Sequence, residues 1–180
     1  MGCGIGGLFD VIGRHRVAGI DGVLNGLFRT RARYPDVPLV AADAARLPFH
    51  TSSLKALTAQ HLLEHIAQFR ETCAEWYRVL EPGGVLVVAT PNAHFIDPAV
   101  FDDPSHVQIF TPDLLRDVVR AAGFSVEDMR SLGLPWFKTK DAWKGSWRAR
   151  RFVVQHAKLL SRVPGWKWQG QTLCCIARRS

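Results

Sequence analysis

The sequence predicts an α/β fold organised around a mostly parallel sheet. Three observations carry that prediction. Short apolar runs alternate with helical stretches through the first 135 residues, the pattern of strands joined by crossover helices. Val85-Leu-Val-Val-Ala89 is apolar without a break, as a strand covered on both faces should be. A glycine cluster, Gly2-Cys-Gly4-Ile-Gly6-Gly7, stands ahead of a short helix, and such loops let a ligand approach the backbone at a helix N-terminus. The 180 residues fit one domain with an appendage, and 47% hydrophobic with 22% charged residues is an ordinary globular balance.

The elements follow in order. Leu8 to Gly13 reads as a helix and Arg16 to Asp21 as a strand. Val23 to Arg33 reads as a helix, ended by Tyr34-Pro35. Leu39 to Asp43 is a second strand and Leu57 to Gln60 a short third one. Phe69 to Leu80 is a helix with Phe69, Cys73, Trp76, Tyr77 and Leu80 on its apolar side. Glu81-Pro-Gly-Gly84 is a turn, because Pro stops the helix and Gly supplies positive φ. Thr111 is an N-cap with Pro112 at the first helical position, and Gly123 ends that helix. Phe124 to Met129 and Gln171 to Ala177 read as strands, and Trp147 to Leu160 as a helix.

Several classes are excluded. No apolar run approaches the ~20 residues of a membrane span. The start lacks a charged stretch followed by a long apolar one, so it is not a secretory signal. Position 6 is Gly, not Ser or Thr, so the myristoylation pattern fails. Four cysteines without CxxC spacing do not make a disulfide scaffold. The expected location is the reducing cytoplasm.

Charge divides the chain. Residues 1–135 hold 12 Lys/Arg against 15 Asp/Glu, a net −3; residues 136–180 hold 11 against Asp141 alone, a net +10. Five of the six tryptophans also lie after Leu134-Pro135. We expect a core over 1–135 and a basic, Trp-rich segment over 136–180, helix plus final strand, packing on the same domain. In the helix, Val153, Ala157 and Leu160 follow an i, i+4, i+7 spacing, with Arg151, Lys158 and Arg162 on another side. Three uses stay open: packing over the sheet with a solvated basic face, peripheral contact with an anionic membrane, and nucleic acid binding, the last disfavoured.

The acids that follow the glycine loop sharpen the reading. Asp21 ends the first strand about 20 residues on, where an acid accepts hydrogen bonds from ribose hydroxyls in nucleotide-binding sheets. Asp43 ends the next strand in register. Gly2-Cys-Gly-Ile-Gly6, Gly19-Ile-Asp21, Asp43-Ala-Ala-Arg-Leu-Pro-Phe49 and Leu80-Glu-Pro-Gly-Gly-Val-Leu-Val-Val-Ala-Thr-Pro-Asn92 then stand in one order and spacing. So does the segment from His106 through Phe124. On these residues, 1 to about 130, the chain resembles the class I S-adenosylmethionine-dependent methyltransferases, nearest to the small-molecule and quinone-type group.

The resemblance implies a Rossmann-like sheet of strand order 3-2-1-4-5-7-6 with the last strand antiparallel. It implies S-adenosylmethionine as cofactor. Gly2, Cys3, Gly4 and Gly6 would form the loop under its methionine part, and Asp21 with Gly22 would take the ribose. Asp43 and Ala44 would meet the adenine, and Gln60 with His61 would sit beside the sulfonium. Pro91 and Asn92 would line the side of a small-molecule or lipid-like acceptor. The sequence leaves the oligomeric state unknown.

One departure stands at the N-terminus. The family's first strand, central in the sheet, ends in an acid two positions before the first glycine, and Met1 already precedes Gly2. Two half-sheets with facing edges are expected. Each unpaired buried backbone group would cost ~1–3 kcal/mol against a domain stability of ~5–15 kcal/mol. Poor activity is therefore expected of the chain as written. Three explanations compete: a true start farther upstream, a decayed copy, or a strand supplied by another segment or chain.

Methyl transfer is an in-line displacement, so alignment supplies much of the catalysis. A base is needed only where the acceptor must lose a proton, and His61, His65 and His106 are the candidates. His106 is favoured, since its segment precedes the helix bordering the expected pocket. His61-Leu-Leu-Glu64-His65 also fits the H-x-x-E-H zinc-peptidase pattern, which needs a long helix and a distant third ligand. Some quinone O-methyltransferases carry a divalent ion on E-x-x-E-H here, but His61 replaces the first acid. No metal is expected. The alternatives are a NAD-type dinucleotide oxidoreductase, from Gly2-x-Gly4-x-x-Gly7, and a non-catalytic remnant that binds a partner through the basic tail.

Overall fold

The computed structural model describes residues 1–94, 103–132 and 170–180. The strands are β1 (Gly19–Asp21), β2 (Leu39–Ala41), β3 (Leu54–Gln60), β4 (Leu80–Pro91), β5 (Phe124–Leu132) and β6 (Thr172–Arg179). The helices are α1 (Phe9–Ile12), α2 (Leu24–Arg33), α3 (Phe69–Val79) and α4 (Pro112–Ala121), with a single 3₁₀ turn at Leu63–His65. This is a mixed α/β fold of the Rossmann-like kind.

Two hydrogen-bonded sheets result, β1-β2 and β3-β4-β6-β5. β1 runs parallel to β2 and β3 parallel to β4. β6 runs antiparallel to both β4 and β5. Among the described residues these two sheets share no strand. Residues 1–3 hydrogen-bond to both. The Met1 amino group donates to Thr58 O at 2.8 Å, and Cys3 N–H donates to Ile20 O at 3.0 Å. On β3, Lys55 and Ala56 are exposed.

Several elements differ in length from the expected ones. β1 and β2 have only three residues each, since pairing holds only as far as Asp21 and Ala41. β3 begins at Leu54, earlier than its apolar stretch suggests, because Lys55 interrupts the run. The Glu81–Gly84 turn is enclosed within β4 as an irregularity. Pairing jumps from Leu54 opposite Leu80 to Ala56 opposite Val85, so four residues bulge against one. α4 starts as expected, with Leu114 N–H donating to the Thr111 hydroxyl at 3.1 Å. The helix expected over Trp147–Leu160 lies outside the described residues.

The main core joins α3 and α4 to the four-stranded sheet. Trp76, Leu115 and Val119 from the helices are fully buried with Leu86, Val88, Leu173 and Cys175 from the strands. A smaller cluster of Phe9, Tyr34 and Val37 lies under the glycine loop. No helix among the described residues is long and apolar enough to cross a membrane.

α3 also fixes the loop that follows β2. Trp76 Nε1–H donates to Ala44 O at 3.1 Å. Glu75 accepts from Leu47 N–H at 2.7 Å and from Arg78 through both carboxylate oxygens, at 2.7 and 2.8 Å. Arg78 in turn donates to Phe49 O at 3.0 Å and Leu47 O at 3.3 Å. Three residues of one helix thus hold Asp43–Phe49 by its backbone.

The Arg78 hydrogen bonds hold the Glu75 carboxyl below its ordinary value, helped by Leu47 N–H and opposed by burial. With the folded value lowered, the unfolded chain takes up the proton first as pH falls. The stabilisation is complete above the ordinary carboxylate value of 4.5 and is lost as pH drops through the folded one. Glu75→Gln should cost about 1–2 kcal/mol at pH 7 and flatten the fall in urea-unfolding free energy below pH 4.5. A variant with the wild-type acid limb would contradict this.

Candidate cofactor and acceptor site

The glycine loop folds as it does because its backbone needs positive φ. Gly2, Gly4 and Gly6 have φ of 58°, 50° and 79°, which residues with a Cβ adopt only at a cost. Gly6 is needed for packing as well, because a Cβ there would lie 2.6 Å from the Tyr34 ring. α2 secures the loop from the other side. The Thr30 hydroxyl donates to Gly4 O at 2.6 Å. Gly26 lets the helix approach, since a Cβ there would stand 3.2 Å from the same carbonyl oxygen.

Asp21 joins the loop to β1. Its Oδ2 accepts from Gly4 N–H at 2.8 Å, and its Oδ1 from Val23 N–H at 2.9 Å. A carboxylate has about four acceptor positions, so each oxygen keeps capacity for a ligand hydroxyl. Asp43 lies two residues beyond β2, where Oδ1 accepts from Ala45 N–H at 2.9 Å. Cys3 sits beside Asp21. Burial, and then the Asp21 charge, push its thiol upward and keep it neutral.

A cleft of about 590 Å³ opens between these elements. Gly2, Asp21, Gly22, Asp43, Ala44 and His65 border it, together with Val23, Leu24, Leu62 and Ile66. A second cavity of about 230 Å³ is bordered by Gly2, Cys3, Gly6, Thr58, Gln60 and His61. The predicted residues therefore divide into two groups that share Gly2. Gly4 borders neither cavity in these sets and acts through its hydrogen bonds.

The histidines separate. His61 directly follows β3 with φ of 48°, and its Nδ1 lies 3.3 Å from Glu64 Oε1. His65 reaches the larger cleft, and its ring centroid is 4.7 Å from that of His106. The long helix that the H-x-x-E-H peptidase reading requires is absent here, because the turn spans only Leu63–His65. Asn92 is buried, with Nδ2–H donating to Gly170 O at 2.8 Å and the main-chain N–H to Gln171 O at 2.8 Å. It ties β4 to the start of β6.

Sequence reasoning missed Thr30, Gly26 and Tyr34. Gly26, an isolated glycine inside a helical pattern, was the available signal. Glu64, which the sequence offered only within the H-x-x-E-H and E-x-x-E-H patterns, is fully buried.

The site fits S-adenosylmethionine on two structural grounds. The glycine loop is braced by Asp21 at the end of β1, and Asp21 and Asp43 both border a cleft of ligand size. Gly6→Ala should lower stability by about 2–4 kcal/mol, combining backbone strain with overpacking against Tyr34. Gly4→Ala, with open space around the new Cβ, should lose only about 1–2 kcal/mol. Chemical denaturation checks the ranking, and equal losses would contradict it.

Comparison with known proteins agrees with this geometry. Residues 1–88 match a family described as a methyltransferase domain. A Mycolicibacterium smegmatis protein named "Probable S-adenosylmethionine-dependent methyltransferase" is 34% identical over 131 residues, covering 71% of this chain and 51% of that protein. A demethylmenaquinone methyltransferase of Renibacterium salmoninarum is 38% identical over 73 residues, covering 41% of this chain and 31% of its own. The chain thus spans about half the length of the first relative and less than a third of the second. In fold, it is similar to the crystal structure of a SAM-dependent methyltransferase from Archaeoglobus fulgidus, with a TM-score of 0.71 at 18% identity, covering 99% of this chain and 83% of that one. None of these matches supports the oxidoreductase alternative. Residues 1–88 thus match a methyltransferase domain, and the sequence relatives and the shared fold support a class I S-adenosylmethionine-dependent methyltransferase.

Proposed function

We propose that this chain binds S-adenosylmethionine in the larger cleft and transfers its methyl group to a small-molecule or lipid-like acceptor. The observation that carries the proposal is Asp21, which clamps Gly4 and borders the cleft at the same time. When bound, S-adenosylmethionine supplies a methyl group already activated by the sulfonium charge. The chain's own residues bind, orient and accept a proton. Gly2, Cys3 and Gly6 present backbone to the methionine part, Gly4 shapes that loop through its hydrogen bonds, Asp21 and Gly22 take the ribose, and Asp43 with Ala44 takes the adenine. Gln60 closes the second cavity near the sulfonium end. Because the loop is fixed by Thr30, Gly26 and Tyr34, orientation is set before the ligand arrives, and alignment is the main source of rate.

The acceptor side is apolar at its rim. Val23 and Leu24 border the cleft and are 63% and 56% exposed. Relatives named as demethylmenaquinone methyltransferases favour an acceptor of quinone type. Where the acceptor must lose a proton, the candidate bases are His65 at the cleft edge, His106 beside it, and His61 at the second cavity. The basic, tryptophan-rich segment 136–180 supports delivery of such an acceptor from an anionic lipid surface.

Calorimetry with S-adenosylhomocysteine, with NAD as the competitor class, tests the cofactor. One-to-one binding of the homocysteine compound is expected, weakened about 10- to 100-fold in Asp21→Ala. Heat with NAD alone would reverse the assignment. Vesicle sedimentation tests the surface. Retention on anionic but not zwitterionic vesicles, lost at high salt, is expected. Retention on neither, or on RNA in their place, would remove that part of the proposal.

A further inference from the structure

Beside the larger cleft, side chains from two distant segments converge. Glu64 and His65 come from the 3₁₀ turn after β3, and His106 from the stretch before α4. One carboxylate oxygen and one ring nitrogen from each histidine all lie within 4.8 Å of one another.

Backbone hydrogen bonds fix this convergence. Glu64 O accepts from Val107 N–H at 2.9 Å and Gln108 N–H at 3.2 Å, which seats the His106 stretch against the turn. His65 Nδ1 lies 3.0 Å from Ser105 O. A carbonyl only accepts, so Nδ1 carries the proton and neutral His65 keeps its lone pair on Nε2. Metal-binding histidines are oriented by this same kind of bond.

Glu64 is the member that calls for a ligand. It is fully buried. Its Oε2 accepts from the Thr90 hydroxyl at 3.1 Å, but its Oε1 is buried without a hydrogen-bond partner. His61 Nδ1 stands 3.3 Å from that oxygen and pairs with it only when protonated, outside hydrogen-bond geometry. A buried carboxylate oxygen with no donor is costly unless a cation or proton meets it.

We propose that Glu64, His65 and His106 bind a divalent first-row transition-metal ion of the Zn²⁺ kind. Two imidazole nitrogens and one carboxylate oxygen suit such ions, whereas Mg²⁺ and Ca²⁺ take all-oxygen shells. Three protein ligands leave a coordination position open. Ligand bonds of about 2.0–2.2 Å require the ligand atoms to close in by about an ångström, which side-chain rotation supplies. This set is not the E-x-x-E-H spacing, in which one turn supplies all three ligands. Here His61 is outside the set, and the third ligand arrives from the far side of α3 and β4 in the sequence.

The test uses the whole chain, stripped with a chelator and dialysed. Zn²⁺ is titrated by calorimetry and Co²⁺ by visible absorption. One ion per chain is expected, with a Co²⁺ ligand-field band of a low-coordinate site. His106→Ala and Glu64→Gln should each weaken binding at least about 10-fold, with circular dichroism confirming that both fold. His50→Ala, at an exposed site elsewhere, should bind as the wild type does. Absence of stoichiometric binding, or wild-type affinity in His106→Ala, would overturn the proposal. So would an equal loss in His50→Ala. S-adenosylhomocysteine titrated into the stripped chain reads the cofactor cleft separately, so failure of one assignment is distinguishable from failure of the other.

Discussion

The structure depends on the passage of residues 1–3 between two sheet edges. Met1 reaches Thr58 O on β3 and Cys3 reaches Ile20 O on β1. These two hydrogen bonds set where the glycine loop starts. The loop then turns through left-handed glycines, meets Asp21 and Thr30, and rests on Tyr34. Both cavities share Met1 and Gly2 as a wall. A shift of this short stretch would therefore reshape the cleft and the second cavity together.

The two strand-end acids divide the work by their surroundings. Asp21 borders the cleft while its carboxylate braces the loop it adjoins. Asp43 is free of the loop and instead rides on a segment pinned by Trp76, Glu75 and Arg78. The acid on β1 is thus fixed from within the glycine loop, and the one beyond β2 from the helix layer below. This explains why a helix with no residue in the cleft bears on its geometry.

Much of this was legible in the sequence, for physical reasons. The Val85–Ala89 run, the Thr111-Pro112 cap and the Gly-rich opening each impose one local conformation, and the structure has all three. Strand lengths were less legible. β3 extends through Lys55 and Ala56 because pairing with β4 continues past the apolar run. The Glu81–Gly84 turn became a bulge inside a longer strand for the same reason. The convergence of His106 with Glu64 and His65 was not legible, because it depends on main-chain bonds from residues 107 and 108 to Glu64 O. Burial of Glu64 was equally hidden, since nothing in His61-Leu-Leu-Glu-His65 marks one polar residue as interior.

Ultraviolet crosslinking of methyl-labelled S-adenosylmethionine to the intact chain, followed by peptide mapping, tests the account most directly. The account predicts label confined to peptides from the glycine loop, from β1 through the start of α2, and from the Asp43 loop, with competition by unlabelled S-adenosylhomocysteine. Label that resists competition, or that maps to β5 and α4 instead, would contradict it.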